Sequence, residues 1–401
     1  MRRLVGLFFG FMVATVATGC GALSTTHLRP SPSRTTHEAQ TPVQFSLVAM
    51  QSNQIGWAVA SDGLFRTGDG GRRWRRVLAL DVTTTPGYGA NSITESFVSA
   101  TVAVIAFEEP DGRTIHMDET TDGGARWSMS TLHLPPRTAQ LMSGGTVQVQ
   151  FLSPLRGWLL LTSTGNAGSV ANALFATTDG GKHCQEVQVP LPSHPTVFWD
   201  VTGIRFVEGG RVGIASVNSV LINQARVLVT TDGGQQWSSV ALPLPPAAVQ
   251  TQVVEGRPYI SPSGLLILPV TIQVSGSSQE LIFYTSGGQG ATWTPHVWPK
   301  LLAANLKTNI PVYSATPGQY FVLADGQWLL LPTGRRTQEY QLVLSADNGL
   351  RWQRVDAIPM PVVASSSILP DGQGWAINSA SMYETTSKGL SWRPWRPLLI
   401  R

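Results

Sequence analysis

Short apolar runs recur along the chain from residue 45 to its C-terminus, and their pattern reads as strands. Phe45 to Met50 and Val147 to Phe151 alternate apolar and polar positions, the period of a strand with one face buried. After such runs come continuous apolar segments opened by a Gly/Trp signal: Gly56-Trp57-Ala58-Val59, Gly157-Trp158-Leu159-Leu160, Gln327-Trp328-Leu329-Leu330 and Gly374-Trp375-Ala376-Ile377. Segments of this kind, bounded by turn residues, fit strands buried on both faces. Outside the first twenty residues no stretch carries useful helical periodicity. The pattern predicts an all-β chain.

A turn signal follows these pairs of runs and repeats. Thr67-Gly68-Asp69-Gly70-Gly71-Arg72-Arg73-Trp74 returns as Thr120-Thr121-Asp122-Gly123-Gly124-Ala125-Arg126-Trp127, as Thr177-Thr178-Asp179-Gly180-Gly181-Lys182-His183-Cys184 and as Thr230-Thr231-Asp232-Gly233-Gly234-Gln235-Gln236-Trp237. Weaker copies end at Trp293, at Trp352 (with Asp347) and at Trp392. Successive copies are 40 to 59 residues apart at that last position. A carboxylate can accept the N–H groups of its own turn, glycine supplies positive φ, and the Trp re-enters a strand with its ring over the turn. Each unit then holds four antiparallel strands, with the turn between the third and fourth. Units of this size in series are propeller blades, so the expected architecture is a single β-propeller of seven four-stranded blades over residues 44–401.

The repeat S/T-x-D-x-G-x-x-W resembles the Asp-box, or bacterial neuraminidase repeat. Gly56 to Trp74, GWAVASDGLFRTGDGGRRW, looks most like the photosystem II assembly factor-like group of Asp-box propellers. Many members of that group are secreted or lipid-anchored bacterial proteins. The resemblance implies a scaffolding or assembly role exercised through binding, with Asp69, Asp122, Asp179, Asp232 and Asp347 serving as turn locks.

The N-terminus changes the expected location. Arg2 and Arg3 precede an apolar run, Leu4 to Val16, that is short for a bilayer span, and Ala17-Thr18-Gly19-Cys20 resembles a bacterial lipobox, with Ala17 where Leu is usual. Residues 1–20 are expected to be a lipoprotein signal peptide, Cys20 the lipidated residue, and 21–43 a flexible Ser/Thr/Pro-rich tether. The mature protein would sit outside the cytoplasm, anchored to the membrane by its lipid. With Cys20 modified, Cys184 is left without a disulfide partner. The formal net charge of +4 is small. The one basic run, Arg72-Arg73-Trp74-Arg75-Arg76, is expected on an outer edge strand, where cations discourage edge pairing, and nucleic acid is not an expected partner.

Catalytic constellations are thin. No Arg-Ile-Pro occurs and no arginine lies between Arg34 and Arg66 to open a sialidase-like triad. Glu108, Glu109, Asp111, Asp200, Glu208, Glu255 and Glu339 are free carboxylates in predicted loops, with nothing to pair them as glycoside hydrolysis requires. The seven histidines show no HxH or HExxH spacing, so neither a metal nor a cofactor is expected. Cys184, standing where the repeat wants Trp, is expected to be a buried small hydrophobe.

Strand order puts the repeated turns and the short turns between first and second strands on one face of the disc. The variable loops and crossovers lie on the other, and variable loops on a rigid scaffold carry binding. Within them Tyr88, Arg113, Arg137, Trp199, Arg226, Arg335, Arg336 and Tyr340 are the types favoured at recognition sites. The expectation is a monomeric, non-catalytic scaffold for an envelope or secreted protein. A glycan-binding module or a sialidase-like hydrolase on the same fold is the alternative.

Overall fold

The computed structural model describes residues 44–400, except 81–92, 110–111, 143–144, 164–170, 190–197, 208, 221–224, 245–252, 256, 262, 276–277, 298–318, 323–326, 332–342, 348–350, 352, 355–364 and 378–380. Cys20 and the tether lie outside the described residues.

Seven groups of antiparallel strands follow one another. In the first, Phe45–Met50, Gly56–Ala60, Gly63–Thr67 and Arg73–Ala79 pair in sequence order from the innermost strand outward. The second (Ile93–Phe97, Ala103–Glu108, Thr114–Thr120, Ser128–His133) and third (Thr146–Phe151, Gly157–Thr162, Asn172–Thr177, Cys184–Val187) repeat that order. The fourth is Phe198–Phe206, Gly213–Val220, Arg226–Thr230 and Ser238–Ala241; in the fifth an innermost strand in two pieces, Val253–Glu255 and Tyr259–Ile260, precedes Leu266–Ser275, Ser278–Ser286 and Thr294–Val297. The sixth runs Gln319–Val322, Trp328–Leu331, Val343–Ser345 and Gln353–Arg354, and the seventh Ser365–Ile368, Gly374–Ile377, Met382–Thr385 and Arg393–Pro394.

The protein is an all-β propeller. Its described strands form six hydrogen-bonded sheets rather than seven, because Val253 of the fifth group pairs with Ser219 of the fourth and fuses the two into one nine-stranded sheet.

The Gly/Trp signal has a local cause. Gly56, Gly157, Gly213 and Gly374, which open the second strands of blades one, three, four and seven, each pair with the last residue of the innermost strand, whose side chain lies across them: a Cβ on Gly157 would stand 2.6 Å from the Phe151 ring. Trp57, Trp158 and Trp375, which follow three of these glycines, are fully buried. Trp57 stacks on Phe97 and donates from Nε1 to Ser99 O of the second blade, and Trp158 stacks on Phe206 and donates to Gly233 O of the fourth. Truncating such a ring to alanine costs roughly 3–5 kcal/mol. Arg66 lies over Trp57 and Arg156 over Trp158, and each guanidinium donates to backbone carbonyls of the next blade.

Innermost strands are laced together by side chains. Phe151 N–H donates to Ser96 Oγ, Phe206 N–H to Gln150 Oε1, and Val48 N–H to Ser365 Oγ, the last joining the first blade to the seventh. Phe45, Trp74, Trp375 and Trp395 fill that junction.

Four expectations are corrected. A helix, Pro136–Met142, occupies the second crossover; it buries Ala139 against the core of blades two and three, and its seven residues are too few to register as a period. The positions of the apolar runs predict crossovers over 190–201 and 243–258 and a loop over 275–280; parts of the first two extend the sheets as Phe198–Phe206 and Val253–Glu255, and the third falls largely within the paired strands Leu266–Ser275 and Ser278–Ser286. The basic run is not a bare edge: a final strand, Leu398–Ile400, pairs in parallel with Arg73–Arg75.

Candidate functional site

Each repeated turn is built on a buried hydroxyl. Thr67, Thr120, Thr177 and Thr230 close the third strands, and the Oγ1 of each accepts the N–H of the glycine four residues on at 2.9 Å. The same hydroxyl donates to Oδ1 of Asp69, Asp122, Asp179 or Asp232, and that oxygen accepts the N–H of Arg73, Arg126, His183 or Gln236 at 2.9 Å. Ser345 and Asp347 repeat the arrangement with Arg351, and in the seventh blade Ser387 takes the carboxylate's place. Both glycines hold positive φ, as Gly70 (73°) and Gly71 (85°) show.

These bonds keep the carboxylates ionised. Backbone and ring donors of His183 draw Asp179 down to about 2, and the backbone N–H groups of Arg126 and Gln236 lower Asp122 and Asp232. At Asp69 burial pushes upward, but the donors of Arg73 outweigh it. Such groups are acceptors rather than proton carriers.

The closing aromatics differ. Trp237, Trp293 and Trp392 donate to the carbonyl of the glycine three residues back, at 2.9 to 3.1 Å. Trp127 reaches instead to Val77 O of the first blade, and Trp74 is fully buried. Trp352 lies outside the described residues. Cys184 is only half-buried, its Sγ 3.9 Å from Gly181 O, and burial followed by the nearby Asp179 charge pushes the thiol up to about 11.

Within a blade the repeated turn and the first inner turn share one end, joined by bonds such as Gly70 N–H to Gln54 O and Gly180 N–H to Leu155 O. The third-strand entrances and crossovers emerge at the opposite end. Of the residues favoured there, Arg113 and Arg137 are exposed, the latter on the short helix. Arg226 opens a third strand and donates to Ser239 Oγ. Trp199 is in a strand, paired with Ser219. Tyr88, Arg335, Arg336 and Tyr340 lie outside the described residues. Nothing in the described residues brings these eight into one cluster.

A cavity of about 630 Å³ is walled by the innermost strands, with Leu47, Glu95, Phe97, Gln150, Arg205 and Ser366 among its lining. Most of its hydroxyl and amide groups are engaged in the strand-to-strand bonds described above. Glu95 is different. Burial raises its carboxyl to about 7, with the charge of Arg257 opposing the shift. Tyr259, near Arg205, is likewise raised by burial. Sequence reasoning missed Glu95, Arg205 and Arg257 because each sits in or beside an ordinary strand whose neighbours across the axis are distant in sequence. Of the free carboxylates singled out earlier, Glu109 contacts His116 Nε2 on the second blade, and Glu108 is buried. Among the described residues no group of three or more His, Cys, Asp or Glu is placed to hold a metal.

Fold and site together define a β-propeller with an axial polar cavity. No family model and no curated protein matches the sequence. Solved structures do. YCF48 bound to a D1 peptide is similar with a TM-score of 0.51 and 17% identity, over 86% of this chain and 92% of that one. A GH74 xyloglucanase from Xanthomonas campestris gives 0.54 and 15%, over 88% of this chain and 54% of the enzyme. A PL25 ulvan lyase bound to a GlcA–Rha3S oligosaccharide gives 0.51 and 12%, over 88% and 92%. At these identities the likeness is one of fold.

Proposed function

We propose that the chain is a non-catalytic, extracytoplasmic lipoprotein that acts as a binding scaffold or assembly factor in the cell envelope, engaging an envelope or secreted protein at one end of the propeller. The observation that carries the reading is the sorting of connections. Inner turns such as 51–55, 98–102 and 152–156 are short and tied to the repeated turns, whereas the outermost strands of the first, third and fifth blades end, and the innermost strands of the blades that follow them begin, at the other end. A propeller whose blade-to-blade links all join strand ends on one side can present that side to a protein surface. YCF48, of similar fold, binds a peptide.

Photo-crosslinking in intact cells from positions 113 and 137, compared with positions 182 and 235 at the other end, tests this. Capture from Arg113 and Arg137 alone is the expected result; capture confined to Lys182 and Gln235 would overturn the choice of end. Incorporation of labelled fatty acid, lost in Cys20→Ala, tests the anchor.

A glycan is the second reading, supported by Glu95: a carboxyl held near 7 in an axial cavity that Arg205 also lines is suited to donating a proton or hydrogen bond to a sugar hydroxyl. Among the described residues it is the sole carboxylate lining that cavity, which favours binding over two-carboxylate hydrolysis.

A further inference from the structure

Three of the five large hydrophobic side chains that stand exposed among the described residues, Met129 (68%), Leu398 (58%) and Ile400 (44%), belong to the outermost strands of the first two blades. Register shows which way they point. Leu398 pairs with Arg73 and Ile400 with Arg75, so these four side chains share one face of the first blade, while Trp74 and Leu399 turn to the other and pack into the junction with the seventh. The same cross-strand row runs inward from Arg75 to Arg66 and Trp57, both of which bond to the second blade. The exposed face therefore looks toward the second blade. Met129 looks back at it, because its neighbour Ser130 bonds in the opposite direction, to Gly180 of the third blade.

Aliphatic and cationic side chains thus alternate along this rim. Arg73 is held by Asp69 and Arg76 by Asp62, Arg66 is committed to the Ala100 carbonyl, and Arg75 makes no ion pair among the described residues. The facing strands carry Asp118, with its carboxyl raised by burial, the His116–Glu109 pair and the exposed His133. Exposed aliphatics beside arginines match a bilayer surface, where apolar side chains enter the headgroup region and cations meet anionic phosphates.

We propose that this rim, Leu398 and Ile400 with Arg73 and Arg75 and the facing Met129, lies against an anionic phospholipid surface and orients the propeller on the membrane. The inference rests on the lipoprotein reading for one argument only: a lipid on Cys20 would be joined to Phe45, in this same blade, by a segment that reaches at most about 90 Å even when fully extended. Each contact can then be weak, since tethering keeps its effective concentration high.

The test is co-sedimentation of the purified full chain with vesicles of phosphatidylcholine alone and with about one third phosphatidylglycerol. Leu4 to Val16 binds both vesicles and Arg2 and Arg3 add to the anionic preference of every variant alike, so the part of the increment that depends on Arg75 reads the rim. The proposal expects that increment to disappear at high salt, and affinity for the anionic vesicles to fall about fivefold in Arg75→Gln and severalfold in Leu398→Asn, with melting of Arg75→Gln unchanged. Equal binding to both vesicles, or an increment indifferent to Arg75→Gln and to salt, overturns it. Preferential capture of poly-glutamate over anionic vesicles also overturns it, in favour of an acidic polypeptide. A chain that takes up no labelled fatty acid but keeps the Arg75-dependent increment sustains the rim and removes the anchor, so the two readings fail separately.

Discussion

Replacing Glu95 by Gln removes a titration while keeping size and hydrogen-bonding capacity. An ordinary glutamate ionises near 4.5, and in the folded propeller Glu95 does so near 7, chiefly because the cavity wall strips water from the carboxylate. With the folded value above the unfolded one, the folded state holds a proton that the unfolded chain has released. Stability contributed at this site is therefore complete below about 4.5, declines as the pH rises to about 7, and is level beyond. Multiplying the displacement by about 1.4 kcal/mol per pH unit gives roughly 3 kcal/mol. The open side of the cavity makes this an upper bound. Urea unfolding of wild type and Glu95→Gln between pH 4.5 and 8.5 is the assay. The variants should match at the acid end, and Gln should be the more stable by up to that amount at pH 8, while Arg257→Gln in the wild-type background steepens the loss. Parallel pH profiles for the two proteins, or a Gln variant weaker at pH 8, would refute a desolvated carboxyl at the axis.

Thr120→Val should destabilise by about 1–3 kcal/mol, since it leaves the Gly124 N–H buried without its acceptor; a melting temperature equal to wild type would remove the hydroxyl from its central place in the turn. Cys184, with its thiol raised to about 11, should react slowly with iodoacetamide at pH 8 and accelerate steadily toward pH 11. Rapid labelling of the native protein at neutral pH would contradict that environment.

The blades and their turns were legible because each is written locally: a Gly/Trp pair, a third strand ending in Thr, two glycines forced to positive φ. The carboxylate in that motif drew attention as the lock, yet the buried member is the Thr hydroxyl, and only the chain of bonds from Thr to Gly to Asp separates the two roles. Trp199 read as a loop residue because the fourth blade's innermost strand begins earlier than its apolar pattern suggests. Glu95 was illegible for a different reason. Ile93-Thr94-Glu95-Ser96-Phe97 is an unremarked alternating strand, and what desolvates the carboxyl is its juxtaposition with residues near 47, 150, 205 and 366. No local window contains that arrangement.

The parallel pairing of Leu398–Ile400 with Arg73–Arg75 joins nearly the last residues of the chain to nearly the first of the folded body. A chain emerging from a ribosome or a translocation pore with its N-terminus leading delivers the first blade's own four strands early and the fifth only after the seventh blade. Until then that blade's outer row of backbone groups, and the seat for Trp395 against Trp74, stay open. The ring consequently has a built-in completeness check. A chain lost to premature termination at any of the intervening residues exposes the same unfinished edge, whichever blades are missing.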